Sequence, residues 1–236
     1  MMRDVSFIGK SFLNDFNCIV KSGKIGNPSK NKLTEQVAFS NIIQDFSELY
    51  GMQTYTERTL EYVINLVDFK NLDEIELYNL ETKINNWLMP GMKGNLTDTF
   101  VPGFYFEAEV QSGPDFEVFK QNGELTVEFI AYPFKISEIE EGDECWDSFS
   151  LEHGFAQFTS YQINGSKEIS LWNVGVNNVS PTIDASQNMT IQLNGSSIKI
   201  NQGSHIYYDL DLKPGENKLK ILGDGLIEFH FRKELI

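Results

Sequence analysis

The 236 residues carry 19 Lys plus Arg against 34 Asp plus Glu, a formal net charge of −15. That excess divides into −7 up to Lys135 and −8 beyond it. It repels phosphate backbones and anionic headgroups throughout the chain, which argues against tight nucleic-acid or membrane-surface binding. At 41% apolar and 22% charged the composition is that of a folded globular protein, and 18 Phe with 9 Tyr favour half-buried strands.

Val5 to Val20 alternates imperfectly around Gly9-Lys10 and Asn14-Asp15, which predicts a hairpin of short strands. Lys21 to Ser29 reads as a mobile loop, and Lys21, Lys24, Lys30 and Lys32 form a local exception to the acidity. From Thr54 to Phe69 the alternation is clearest: Leu60, Tyr62, Ile64 and Leu66 share one face of a long strand, with Thr59, Glu61, Val63 and Asn65 on the other. A helix is predicted over Leu72 to Leu88, capped by Asn71 with Glu74, lined by Leu77, Leu80, Ile84 and Leu88, and stopped at Pro90-Gly91. Phe104 to Val110 alternates again, and Phe116–Lys120 is expected to pair with Leu125–Ala131 across Asn122-Gly123.

The run Glu138, Glu140, Glu141, Asp143, Glu144 and Asp147 breaks the periodicity and reads as a solvated linker at a domain boundary. Beyond it, turn signals at Asn164-Gly165, Asn194-Gly195, Pro214-Gly215 and Gly223-Asp224-Gly225 predict an antiparallel sandwich, ending in a hairpin of Lys218–Leu222 with Leu226–Phe231. The fold class is therefore mainly β. Residues 1–135 are expected to form a strand-rich unit with one helix, and residues 136–236 an antiparallel β-sandwich.

Chemistry is hard to find. His153, His205 and His230 are too scattered to hold a metal on one element, and the acidic run lacks the DxDxDG order of a calcium loop. Neither Cys18 nor Cys145 has a CxxC partner, there is no GxSxG elbow, and no glycine-rich loop opens a helix. We therefore expect no catalytic residues, no metal and no cofactor. No apolar run nears the ~18 residues of a membrane span, and Met1 to Phe12 lacks the core of a secretory leader. Cytoplasmic synthesis without export is the expectation.

The stretch from Phe39 to Arg58, with Asp45-Phe46-Ser47, Tyr50-Gly51, Gln53, Tyr55 and Arg58, resembles the N-terminal domain of distal tail proteins of siphophages infecting Gram-positive bacteria. The resemblance runs on through the following strand and the helix ending at Trp87 to Tyr132-Pro133-Phe134. It is weaker in Asn177–Ile183 and Leu212–Leu219. It implies a non-enzymatic structural role, with six copies ringed by β-barrel-like N-terminal domains (residues 1–135, one helix) and galectin-like β-sandwiches (residues 136–236) outside. The implied partners are a tail tube protein, a tail-tip or lysin-like protein and receptor-binding baseplate proteins. The implied location is the tail tip of a virion assembled in the host cytoplasm. The motif residues Asp45, Phe46, Ser47, Tyr50, Gly51, Tyr55, Arg58 and Trp87 are the ones that carry it. Taken by themselves, Asp45 and Ser47 suit a turn that satisfies its own backbone, and Arg58 suits a stem laid over apolar surface. The rival expectation is a cell-wall carbohydrate-binding protein that uses Trp172, Tyr207 and Tyr208 of the sandwich.

Overall fold

The computed structural model describes residues 2–49, 51–66, 73–119, 122–143, 156–193 and 195–236. The fold is mainly β, 51% strand against 10% helix. It divides into two compact units, Met1–Lys135 with Ile236, and Ile136–Leu235.

In the first unit the strands lie in the order Lys10–Ser11, Val5–Phe7, Gly94–Asp98, Phe104–Glu109, Asn122–Ala131, Arg58–Leu66 and Ile19–Ile25. All neighbours are antiparallel. Arg58–Leu66 sits inside this sheet because its alternation is strict: Leu60, Tyr62 and Ile64 are fully buried, while Thr59 and Glu61 face solvent. Each such aliphatic side chain contributes ~1.5–3 kcal/mol by leaving water. The helix Glu74–Leu88 covers the core with Leu77, Ile84, Trp87 and Leu88. The Trp87 indole donates to the Phe7 carbonyl at 3.1 Å and its ring stacks on Phe16 at 4.9 Å.

Several sequence expectations are corrected here. The capping box of the long helix is Asp73 with Glu76, two residues later than Asn71 with Glu74: the Asp73 carboxylate accepts from the Glu76 N–H while the Glu76 carboxylate accepts from the Asp73 N–H. Asn71 and Leu72 lie outside the described residues. The expected hairpin in Val5 to Val20 is two short strands followed by a second helix, Phe12–Phe16, with Ser11 as N-cap and Asn17 as left-handed C-cap. Lys21 to Ser29 is not a mobile loop over its first half, since Ile19–Ile25 is a strand paired with Arg58–Leu66 and its Val20 is buried. Asn122-Gly123 is no turn either, because Asn122 pairs with Phe119 and Gly123 with Val118. The expected continuation of the long strand through Val67 and Phe69 lies outside the described residues.

The second unit is built on two long strands, Ser160–Asn173 and Gly215–His230, paired antiparallel along their whole length. One end of Gly215–His230 pairs with Met189–Leu193, which pairs on with Ser196–Ile200. The other end pairs with Thr182–Ala185, which pairs on with Gly203–Ile206. Inward side chains of both ends, among them Ile163, Leu171, Leu219, Ile221, Ile227 and Phe229, form one hydrophobic cluster. A bent sheet thus supplies both layers of a sandwich.

This overturns the predicted hairpin of Lys218–Leu222 with Leu226–Phe231, which is one continuous strand. The Asn164-Gly165 and Gly223-Asp224-Gly225 signals fall opposite each other in register, Asn164 against Asp224 and Gly165 against Gly223. They bend two strands together and do not reverse either. The acidic run is also more than a solvated linker. Glu141 is buried with its carboxylate 3.7 Å from the Lys233 ammonium, and Glu140 accepts from Arg232 at 3.1 Å. Glu144, Cys145, Asp147 and His153 lie outside the described residues.

Candidate assembly surface

Between the strands Ile19–Ile25 and Arg58–Leu66 the chain leaves the first sheet as an arm. Its base is a narrow ladder: Asn31 N–H donates to Thr54 O at 2.9 Å, Thr56 N–H to Ser29 O at 2.8 Å, and Lys30 bridges Tyr55. The Gln53 amide ties both sides by donating to Asn31 O and Thr54 O, each at 2.7 Å. Further out, Thr34–Gln36 and Ile43–Asp45 form a two-stranded sheet of their own.

The motif residues hold this arm in shape. Asp45 accepts from the Lys32 ammonium at 2.8 Å and from the Ser47 N–H at 2.9 Å, while the Ser47 hydroxyl accepts from the Leu33 N–H at 2.9 Å. The Lys32 hydrogen bond, aided by Ser47, pulls the Asp45 carboxyl well below the usual carboxylate range. Phe46 adds a backbone bond to Leu33. Gly51 takes φ +94°, a left-handed conformation that an L side chain rarely adopts. Tyr50 lies outside the described residues. Tyr55 sets its ring edge-on to Phe134 at 5.5 Å.

Arg58 and Trp87 stand apart from the arm's ladder. Arg58 is only 3% exposed, its guanidinium carbon lies 5.4 Å from the Phe106 ring, and burial lowers its pKa. Its Nε and Nη2 have no hydrogen-bond partner. Trp87 belongs to the core. The motif therefore gathers an arm and a packing residue into one stretch of sequence.

What the arm lacks is a cover. Leu33, Val37, Phe39, Ile42, Ile43 and Leu49 are all exposed, and Phe39 at the tip is fully so. Isolated exposed apolar side chains are ordinary, but six on one projecting arm are more than the ordinary scatter. Phe39 also holds φ +60°, which costs a bulky residue of order 1–3 kcal/mol. Elsewhere in the same unit Ile8 repeats the combination, exposed and at φ +46°. Its side chain lies over Gly91 and Gly94, where any Cβ would approach it to 3.1 and 2.5 Å. Exposed Met89 and Met92 flank those glycines. Sequence periodicity passed over both features, because exposure has no periodic signature.

Trp172 is on the outer face of Ser160–Asn173, opposite Glu216. Tyr207 packs against the core and its hydroxyl accepts from the Asn201 N–H at 2.8 Å, while Tyr208 is exposed. Among the described residues no group of His, Cys, Asp or Glu could hold a metal ion, and no helix is long and apolar enough to cross a membrane.

No protein-family model matches the chain, and no curated protein matches it. Among solved structures it is similar to the Dit protein of phage SPP1, described as a paradigm of the hub adsorption apparatus in phages infecting Gram-positive bacteria. The identity is 14%, all of both chains is covered, and the TM-score is 0.68. Two baseplate structures of phage p2, in the activated conformation with strontium and with calcium, match at 10% and 11% identity over 99% of this chain and 98% of those. Their TM-scores are 0.43 and 0.42. Over its whole length, this chain shares the fold of the SPP1 Dit protein.

Proposed function

We propose that this protein is the distal tail hub of a phage or prophage with a long non-contractile tail. Six copies form a ring through residues 1–135, with the tail tube on one side and a tail-tip or lysin-like protein on the other. Receptor-binding baseplate proteins attach outward, and the ring belongs to the virion after assembly in the host cytoplasm. The role is structural, without catalysis. The observation that carries this reading is the likeness to the SPP1 hub protein over 100% of both chains, which extends to both units and not to one common β domain. The uncovered arm supports it, since a ring subunit must keep apolar surface for its neighbours. A charge of −15 per copy also suits the wall of a channel that DNA crosses without sticking. Light scattering with negative-stain imaging of the purified chain tests it. Six-fold rings are the expected outcome, and a monomer at all concentrations overturns it.

A further inference from the structure

The geometry points to the outer edge of the strand Ser160–Asn173 as a docking site for an acidic, extended segment of another protein, which adds to the sheet as a further strand. This strand pairs on one side only, with Gly215–His230, whereas Gly215–His230 pairs on both. In an antiparallel pair, alternate residues turn their N–H and C=O away from the partner. Two contacts fix which ones do so here. Phe229 N–H donates to Thr159 O at 2.9 Å, which aims the odd-numbered residues at the partner, and at the far end both backbone groups of Trp172 point outward. The register between them is unbroken, so Ser166, Glu168 and Ser170 also aim outward. All three are exposed, and among the described residues their N–H and C=O groups meet no partner. Past the bend, the Lys167 ammonium donates to the Gln162 carbonyl at 3.4 Å and closes part of the edge. The free stretch is residues 166–170.

The end of this edge shows what fits it. The Gln157 side chain donates its amide N–H to Trp172 O at 2.8 Å and accepts from the Trp172 N–H at 2.9 Å. A primary amide has the donor and acceptor of a peptide group, so this is the two-point contact that a neighbouring strand makes. Ser170, two residues back, presents the same pair of groups with nothing on them. Folded proteins ordinarily cover or interrupt such an edge. Charge defines the occupant. The chain beyond Lys135 sums to −8, yet the layer made of residues 166–173 and 215–222 with Met189–Leu193 and Ser196–Ile200 holds Lys167, Lys199, Lys218 and Lys220 against only Glu168 and Glu216. These lysines are spread through the sequence, and the fold gathers them. Lys218 and Lys220 stand opposite Ser170 and Glu168 and line an open cleft beside the free stretch. Carboxylates on alternate positions of an added strand meet them there, whereas a second copy would bring one lysine-bearing edge against another.

The test uses the full chain with a short labelled peptide of alternating valine and glutamate. The peptide should bind, and amide hydrogen exchange over residues 166–170, fast in the free chain, should slow when it does. Ser170→Pro removes one outward N–H without breaking the ladder to Gly215–His230, and should weaken binding roughly tenfold or more at an unchanged melting temperature. Lys218→Glu with Lys220→Glu leaves the backbone as it is and should weaken binding as much, and a peptide of alternating valine and lysine should not bind. Slow exchange over residues 166–170 in the free chain overturns the proposal, because the edge is then already covered. Binding that is unaffected by Ser170→Pro in a folded chain overturns strand addition, and equal binding of the lysine peptide overturns the acidic occupant. A change of assembled mass in Ser170→Pro would place a second copy on the edge and also overturn it. The hub reading stands or falls separately, on whether rings form.

Discussion

The backbone N–H of Gly165 donates to the Asp224 carboxylate at 2.8 Å, joining the middles of the two longest strands. At that crossing Gly223 and Gly225 hold φ +137° and +123°, and both fall on inward positions of the strand. A side chain at Gly225 would come within 2.4 Å of the Ser186 hydroxyl, and one at Gly223 within 3.1 Å of Met189. Glycine therefore satisfies two demands here, the bend and the absence of a Cβ. Gly225→Ala should destabilise the second unit by ~1–3 kcal/mol, measured by denaturant unfolding. An unchanged midpoint would show that the bend is set elsewhere.

That crossing also shows what the sequence conveyed and what it concealed. The strands Arg58–Leu66 and Phe104–Glu109 and the helix Glu74–Leu88 were legible because one face of each is buried and the pattern repeats. The Gly223-Asp224-Gly225 signal misled because a sharp bend and a reversal need the same residues, and only the partner strand decides between them. The Ile19–Ile25 strand was hidden by its composition, with Val20 its only buried residue. In the arm, the motif named Asp45 and Ser47 correctly as turn-forming groups, and the fold adds that their bonds pin Lys32 and Leu33. Nothing in the spacing could reveal Ile8, whose exposed side chain lies over Gly91 and Gly94.

Arg58 offers a direct test of packing against pairing. Its Nε and Nη2 are buried without partners, so burial opposes its charge, and the Phe106 ring centroid lies 5.4 Å from the guanidinium carbon. Arg58→Met preserves the stem and removes the charge, and should leave stability within ~1 kcal/mol of wild type or raise it. Arg58→Ala removes the stem as well and should cost ~2–4 kcal/mol. A loss of more than ~3 kcal/mol in Arg58→Met would show that the guanidinium does essential pairing.

Stability should fall in alkali through Cys18. Burial pushes this thiol from 9.0 up to about 12. A raised pKa means that the folded state retains a proton which the unfolded chain releases, so the contribution is complete below pH 9 and is lost as pH rises toward 12. One unit past the unfolded value the loss is ~1.4 kcal/mol. Burial, with the Asp98 charge, also raises the Tyr62 hydroxyl, which adds a loss of the same sign starting nearer its ordinary value of 10.0. Unfolding free energies measured at pH 8 and pH 10 should drop by ~1.4 kcal/mol more in wild type than in Cys18→Ala. Equal slopes would mean that the thiol is not protected in the folded state.

Duplex DNA should not bind. The lysines between positions 21 and 32 are the one local exception to the acidity, and as a loose loop they could have gathered on a phosphate backbone. The fold disperses them. Lys21 pairs with Glu124 at 2.6 Å and Lys32 with Asp45 at 2.8 Å, while Lys24 sits in a strand opposite Glu61. Lys21 and Lys32 must first leave or share a carboxylate to neutralise a phosphate, and the field around all four is that of a chain at −15. Beyond about 8 Å physiological salt screens what attraction remains. A mobility-shift assay at about 150 mM salt, with micromolar protein in its assembled form, should show free duplex only. Lowering the salt should not produce a complex either, because weaker screening strengthens the repulsion from the acidic majority as well. Binding that disappears when Lys21, Lys24, Lys30 and Lys32 are all changed to Ala would identify a DNA contact in this segment, and the channel would then grip its cargo.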